Sequence, residues 1–227
     1  MKKLLPLLLA LMLLALPAFA LADDVTLTVI GTASVTLEPD MAQVSIGMET
    51  SAATVHEAVT ANAEMLAKII EALKENGVTD KDLSTANYYV NTNYDYSGLG
   101  APVPMGYSVS NTLQVIIRDM DKIGTIIDAA TAAGANQVYG VTFLSSQESD
   151  AHDRALTLAV QEGMRKATLM AMAAGRSLGS LESIEEGGQY SHAVNAVFDA
   201  KVMGTVTSIM PGDLTVTASV TITYELR

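Results

Sequence analysis

The sequence predicts an α+β fold: antiparallel or mixed β-sheets covered by three helices, in the order ββα-ββα-βα-ββ. Three observations carry this. Several long stretches alternate apolar residues with threonine and serine, the period of a half-buried strand. Three others repeat apolar residues at helical spacing and stop at glycine. The stretch 134–179 joins the two patterns: a helix stop at Gly134, a buried strand over 138–145, a cap at Ser149, and then the longest helix of the chain.

Residues 25–37 place Val25, Leu27, Val29, Ala33, Val35 and Leu37 on one side and threonine or serine on the other. Glu38-Pro39-Asp40 reads as a turn. Ala42, Val44, Ile46 and Met48 then alternate with polar residues, so the pair is expected to form an antiparallel hairpin. Thr54 and Glu57 have the spacing of a capping box. The first helix follows, with Val55, Ala58, Val59, Asn62, Met65, Leu66, Ile69, Ile70 and Leu73 at helical spacing and Asn76-Gly77 at its end. A second hairpin is expected from 83–90 and 107–118, separated by a long exposed loop or protruding tip over 91–106. Asp119 is the expected cap of the second helix, whose inner side is Ile123, Ile126, Ile127 and Ala130. The two ββα stretches echo each other weakly, Ile69-Ile70-Glu71-Ala72 against Ile126-Ile127-Asp128-Ala129. Val141 and Phe143 point inward from the next strand. The long helix at 150–174 carries Ala155, Leu156, Ala159, Val160, Gly163, Met164, Ala167, Met170, Ala171 and Ala174 along one stripe. Small residues there allow close approach to a sheet. A short strand over 181–186, a loop over 187–210 and a turn at Pro211-Gly212-Asp213 precede a final strand over 214–226. That strand alternates without a break and belongs inside a sheet.

Residues 1–22 read as a cleaved signal peptide: Lys2 and Lys3, an apolar run over 4–16, and small residues ending at Ala22. The domain is then 23–227, periplasmic or secreted. Of the 13 basic and 25 acidic residues of the whole chain, two lysines belong to that leader, leaving 11 − 25 = −14. Such a surface repels nucleic acid and anionic lipid. No cysteine is present, so the chain has no disulfide and no lipoprotein thiol, and its own core must hold it together.

A set of short blocks in fixed order carries a family resemblance. They are Gly31 with Pro39-Asp40-Met41-Ala42; Asn62 through Gly77; Asp80-Lys81-Asp82-Leu83-Ser84-Thr85; Tyr94-Asp95-Tyr96; Gly106-Tyr107 and Asn111; the run from Gly134 to Phe143; Lys166-Ala167; Gly175 with Leu178-Gly179; and Pro211-Gly212. The chain resembles the SIMPL-domain family of exported, YggE-like bacterial proteins. Ala33 and Ser208 depart from that family's usual glycine and proline. The resemblance implies an α+β envelope protein without established enzymatic activity, associated with oxidative or envelope stress tolerance, some members of which form large homo-oligomers.

Chemistry of other kinds finds little support. His56, His152 and His192 are too far apart in sequence for a zinc site and read as surface imidazoles, so no metal or cofactor is expected. No nucleophile elbow or phosphate-binding loop occurs, which argues against an enzyme. Met164, Met170 and Met172 read as core filling of the long helix, with contact between subunits or oxidant trapping as further roles. Tyr88, Tyr89, Tyr94, Tyr96 and Tyr107 form the richest candidate interface, tyrosine giving large contact area at low entropic cost. The expected function is a non-enzymatic envelope protein that self-associates through these tyrosines and methionines. The alternative is a monomeric module binding a glycan or peptide under Tyr94, Tyr96 and the 187–210 loop, in contact with other envelope components.

Overall fold

The computed structural model of the chain describes residues 25–97, 101–188, 190–192 and 211–227. The expected leader and most of the 187–210 loop lie outside these residues. The elements are β1 (Thr26–Leu37), β2 (Met41–Ala52), α1 (Val55–Glu75), β3 (Leu83–Asp95), β4 (Val103–Ile117), α2 (Ile123–Ala132), β5 (Gln137–Leu144), α3 (Glu148–Ala173), β6 (Leu178–Glu186), β7 (Tyr190–His192) and β8 (Leu214–Leu226). The fold is α+β with α3 the longest helix, as the residue pattern implies. Among the described residues of the expected 187–210 loop is a short strand, β7, which pairs with β8.

The strands form two antiparallel sheets. The first has the order β1-β8-β6, with β7 also on β8; the second has the order β3-β4-β2-β5. The expected β1–β2 hairpin is therefore wrong. β1 pairs along its whole length with β8, from Thr26 opposite Glu225 to Leu37 opposite Leu214, while β2 pairs with β4 and β5. The link at 38–40 contains proline and no glycine, unlike the tight turns that close hairpins. It is instead tied to the end of β5. The Asp40 amide donates to Leu144 O at 3.1 Å, and the Asp40 carboxylate accepts the Ser146 amide at 2.7 Å and the Ser146 hydroxyl. These bonds to Ser146 hold the Asp40 carboxyl below its ordinary pKa. The β3–β4 pairing is as expected, so the two ββα stretches are not structural repeats.

Each sheet has its own core. On the second sheet, Ala42, Val44, Ile46 and Met48 of β2 and Leu113, Val115 and Ile117 of β4 pack with Ile69 and Leu73 of α1, Ile123 and Ile126 of α2, and Phe143. Each large side chain so buried contributes about 1.5–3 kcal/mol. The α1 capping box forms in full, Thr54 Oγ1 accepting the Glu57 amide at 3.3 Å while Glu57 Oε2 accepts the Thr54 amide at 3.2 Å. Two other expected caps are not made. Asp119 precedes a one-turn 3-10 segment without a side-chain cap bond, and at α3 the N-cap position is held by Gln147, not Ser149, again without a side-chain cap bond. Leu214 of β8 belongs to this core and Leu37 packs against it, joining the two sheets at one end.

On the first sheet the core is α3 against β1 and β8. The helix buries Ala151, Ala155, Ala159, Gly163, Ala167 and Ala171, one residue in four. A Cβ on Gly31 of β1 would lie 2.0 Å from Ala159 O and 2.7 Å from Gly163 N. Helix and strand are thus in backbone contact, and only glycine fits. Lys166 Nζ crosses the same junction to donate to Ile30 O at 3.0 Å.

At the far end of β4, Asp82 is buried, bonded to Thr79 and to Arg118 Nε at 2.9 Å. The Thr79 bond, then the Arg118 pairing, lower its pKa.

Two expected outcomes follow from this packing. Gly31→Ala meets backbone rather than flexible side chain and should cost about 1–3 kcal/mol, visible as a lowered Tm in thermal denaturation. Asp82→Ala removes the buried carboxylate that accepts from the exposed Thr79 hydroxyl and Arg118 guanidinium and, by the loss of these charge-assisted bonds, should cost about 1–3 kcal/mol at neutral pH. Because the folded pKa values of Asp40 and Asp82 lie below the unfolded value, their contribution is present above about pH 4 and is lost as pH falls through the folded values. Urea midpoints measured from pH 7 downward should therefore converge for wild type and Asp82→Ala in acid; a gap that stays constant contradicts the assignment.

Candidate functional site

The tyrosine segment is an edge strand. β3 pairs only with β4 and ends the second sheet. From Ser84 to Asn91 every residue is exposed, so neither face of that strand is covered. Its sequence explains why: LSTANYYVNTNYD has no apolar alternation for a helix to cover. It also has no charge before Asp95.

β2 stops pairing at Ala52 opposite Tyr107, whereas β3 and β4 continue to Asp95 opposite Val103. The hairpin therefore protrudes beyond the sheet as a two-stranded ribbon. Gly106 lies at the point of departure with φ of +135°, and a Cβ there would sit 2.7 Å from Ala52 O. Tyr94 and Tyr96 stand near the tip with ring centroids 6.3 Å apart, the Tyr96 side 74% exposed. Asp95 accepts the Ser97 amide at 2.8 Å, which holds its carboxyl below the ordinary range. Tyr88 and Tyr89, adjacent and on opposite faces, are exposed, and Tyr107 is half-buried. At the base, Asn62 of α1 donates to Val109 O at 3.1 Å. This polar residue inside an apolar stripe is an anchor for the hairpin.

The methionine group lies elsewhere, on the helix of the first sheet. The reading as core filling is overturned: Met164, Met170 and Met172 are all exposed, Met172 at 69%. The contact with β1 and β8 is so close that its stripe admits only alanine and glycine, and larger residues are displaced to the flanks. Leu169 is exposed as well, so within the apolar run 169–174 only Ala171 is buried. A helix apolar on all sides normally has neighbours on all sides.

His152 also departs from expectation. It is not a surface imidazole; its side chain is 14% exposed and its Nε2 lies 3.4 Å from Glu186 Oε1 on β6. His56 is exposed, as expected, and the side chain of His192 lies outside the described residues. Among the described residues no three histidine or carboxylate groups converge on a common point. What the geometry offers is contact surface: backbone donors and acceptors along β3, aromatic rings on its ribbon, and thioethers on α3.

Comparison with known proteins finds relatives over most of the chain. The SIMPL family, described as a protein of unknown function (DUF541), matches residues 27–224. The 26 kDa periplasmic immunogenic protein of Brucella melitensis biotype 1 is 34% identical over 181 residues, covering 76% of this chain and 72% of that protein. The uncharacterized protein YggE of Escherichia coli K12 is 30% identical over 171 residues, covering 75% of this chain and 69% of that one. Among solved structures, the regulatory subunit of aspartate kinase from Thermus flavus aligns with 86% of this chain and 89% of its own, at 13% identity and a TM-score of 0.20.

The methionine placement has a direct check. With dilute hydrogen peroxide and the chain at low concentration, Met105, Met164, Met170 and Met172 should gain oxygen first and Met48, fully buried in the second core, last. Peptide mass spectrometry reads the order; early oxidation of Met48 contradicts the packing.

Proposed function

The chain belongs to the SIMPL family, and on that premise we propose that it is a non-enzymatic, exported envelope protein that works by self-association. The observation that carries the reading is β3: an unpaired edge, exposed on both faces and uncharged from Leu83 to Tyr94. Such an edge pairs with another strand unless something blocks it. The exposed run at the end of α3 supplies a second apolar surface. Its methionines also give the assembly a chemistry for oxidant stress, since a peroxide converts each thioether to a polar sulfoxide and is itself reduced to water. An envelope location is supported by the leader-like residues 1–22 and by the periplasmic name of the Brucella relative. No helix among the described residues is long and apolar enough to cross a membrane.

A second reading rests on the exposed Tyr94–Tyr96 pair, whose rings suit a sugar or peptide. Its test is a thermal shift with peptidoglycan fragments, expected to vanish in a Tyr94→Ala, Tyr96→Ala double variant.

The main reading predicts a mass above that of one chain in size-exclusion chromatography with light scattering at micromolar concentration. Val90→Lys adds a charge to the open edge and should return the mass to that of a monomer, with stability changed by no more than about 0.5 kcal/mol. A wild-type monomer at those concentrations removes the reading.

A further inference from the structure

A cavity of about 250 Å³ opens where the end of α1 meets the start of α2, beside the last residues of β4. Every residue that lines it is among those described. It lies where two irregular passages meet. α1 stops at Asn76-Gly77 and reaches β3 through a 3-10 turn at Asp80–Asp82, while β4 reaches α2 through another at Met120–Lys122. The floor is apolar: Val78, Ile117 and Ile126 are buried members of the second core. The rim is basic, with Lys81, Arg118 and Lys122 all exposed.

The charges of this lining do not cancel. Two carboxylates, Asp82 and Asp119, stand against the three cations, leaving 3 − 2 = +1 in a chain whose 25 acids outnumber its 13 bases. Asp82 is already occupied: Thr79 Oγ1 and Arg118 Nε donate to it, Nε at 2.9 Å, and Arg118 Nη2 lies at 2.9 Å. Asp119 is 3.3 Å from Lys122. Lys81 makes no ion pair among the described residues. Arg118 Nη1 also donates to Met41 Sδ at 3.2 Å, so Asp82 and Met41 fix the guanidinium from one side while the side chain stays 55% exposed. A guanidinium placed in advance loses little freedom when a ligand binds. The apolar floor accepts hydrocarbon and penalises a buried charge, and the uncancelled positive charge at the rim attracts one negative charge. We infer that the cavity binds a small monoanion with an apolar body, a short aliphatic carboxylate being the simplest of the class. Its chain lies on Val78, Ile117 and Ile126. Its carboxylate stays at the rim, where Lys81 brings the unpaired charge and Arg118 the preplaced donors. This site is separate from the tyrosine ribbon and does not depend on self-association.

The test is isothermal titration calorimetry of the full chain with acetate, butanoate and hexanoate. Affinity should rise up to about fourfold with each added methylene, the equivalent of about 0.8 kcal/mol. The neutral hexan-1-ol and the cationic hexylammonium, which keep the chain and change the head, should bind at least about tenfold more weakly than hexanoate. Lys81→Glu, an exposed exchange that leaves the floor intact, should weaken hexanoate by a similar factor. The Tyr94→Ala, Tyr96→Ala double variant should bind hexanoate as the wild type does. Backbone amide signals of Gly77, Lys81 and Lys122 in NMR spectra should shift with the calorimetric midpoint. Absence of saturable hexanoate binding up to about 10 mM overturns the proposal. So does equal binding of the alcohol or the ammonium, which removes the anion. Unchanged affinity in Lys81→Glu, loss of binding in the tyrosine variant, or amide shifts confined to other elements overturns it too, since each places the ligand elsewhere.

Discussion

The backbone contact between Gly31 and Gly163 governs the first sheet. With no Cβ on either residue, α3 comes down onto β1 until main chain meets main chain, and Ala155, Ala159 and Ala167 complete the seam. So close a seam is narrow. It buries one helical residue in four and leaves the rest of the helix to other partners or to solvent. The exposed methionines on the flanks of the helix and the uncovered Leu181 and Ile184 of β6 are two results of this one constraint. A wider stripe of leucine would have lifted the helix, spread its footprint over β6, and buried what is now surface.

The four sheet edges are treated unequally, and that inequality carries the functional argument. On β1, Lys166 reaches across from α3 to occupy the Ile30 carbonyl. On β5, the pairing with β2 is bulged between Val44 and Ser45, and Asn136 bonds both the amide and the carbonyl of Glu49 at 2.9 Å, completing the sheet with a side chain. On β6, register shifts and glutamates discourage pairing with a like strand. β1, β3 and β5 carry no proline and no charge apart from Asp95 at the end of β3, and of these three edges only β3 buries no residue. Its bulges at Thr85/Asn87 and Asn93/Tyr94 flank an uninterrupted ladder from Asn87 to Asn93.

How far the residues alone reveal this depends on what each signal encodes. Period-two alternation reports that a segment is a strand with one buried face, and β8 is read correctly to the residue. The same alternation does not say which strand lies alongside. β1 and β2 look like neighbours because three residues separate them, but Asp40 turns the chain toward Ser146 and into the other sheet. Proline in that link was the available clue. Capping is legible at Thr54 and Glu57, where both partners are local, and not at Ser149, where the helix and its N-cap position come two residues earlier than expected. The methionines were misplaced because helical spacing identifies a face but not its width, and the width is set by a glycine more than a hundred residues away. Tyr88, Tyr89, Tyr94 and Tyr96 are placed on exposed surface because unpatterned, uncharged sequence in a strand has nothing to bury.

Charge decides which of these surfaces two identical chains can share. At −14 per domain expected after loss of the leader, copies repel one another, but the repulsion decays over about 8 Å at physiological ionic strength. Only contacts closer than that have to be free of like charge. Along β3 the nearest strand, β4, is itself uncharged from Val103 to Ile117, so the neutral zone is two strands wide. Along β6 the carboxylates stand on the edge itself, inside the distance at which screening fails. Like charges set opposite one another on paired strands are destabilising, so of these two exposed edges the neutral one is the edge that a copy of the chain can meet at the lower electrostatic cost.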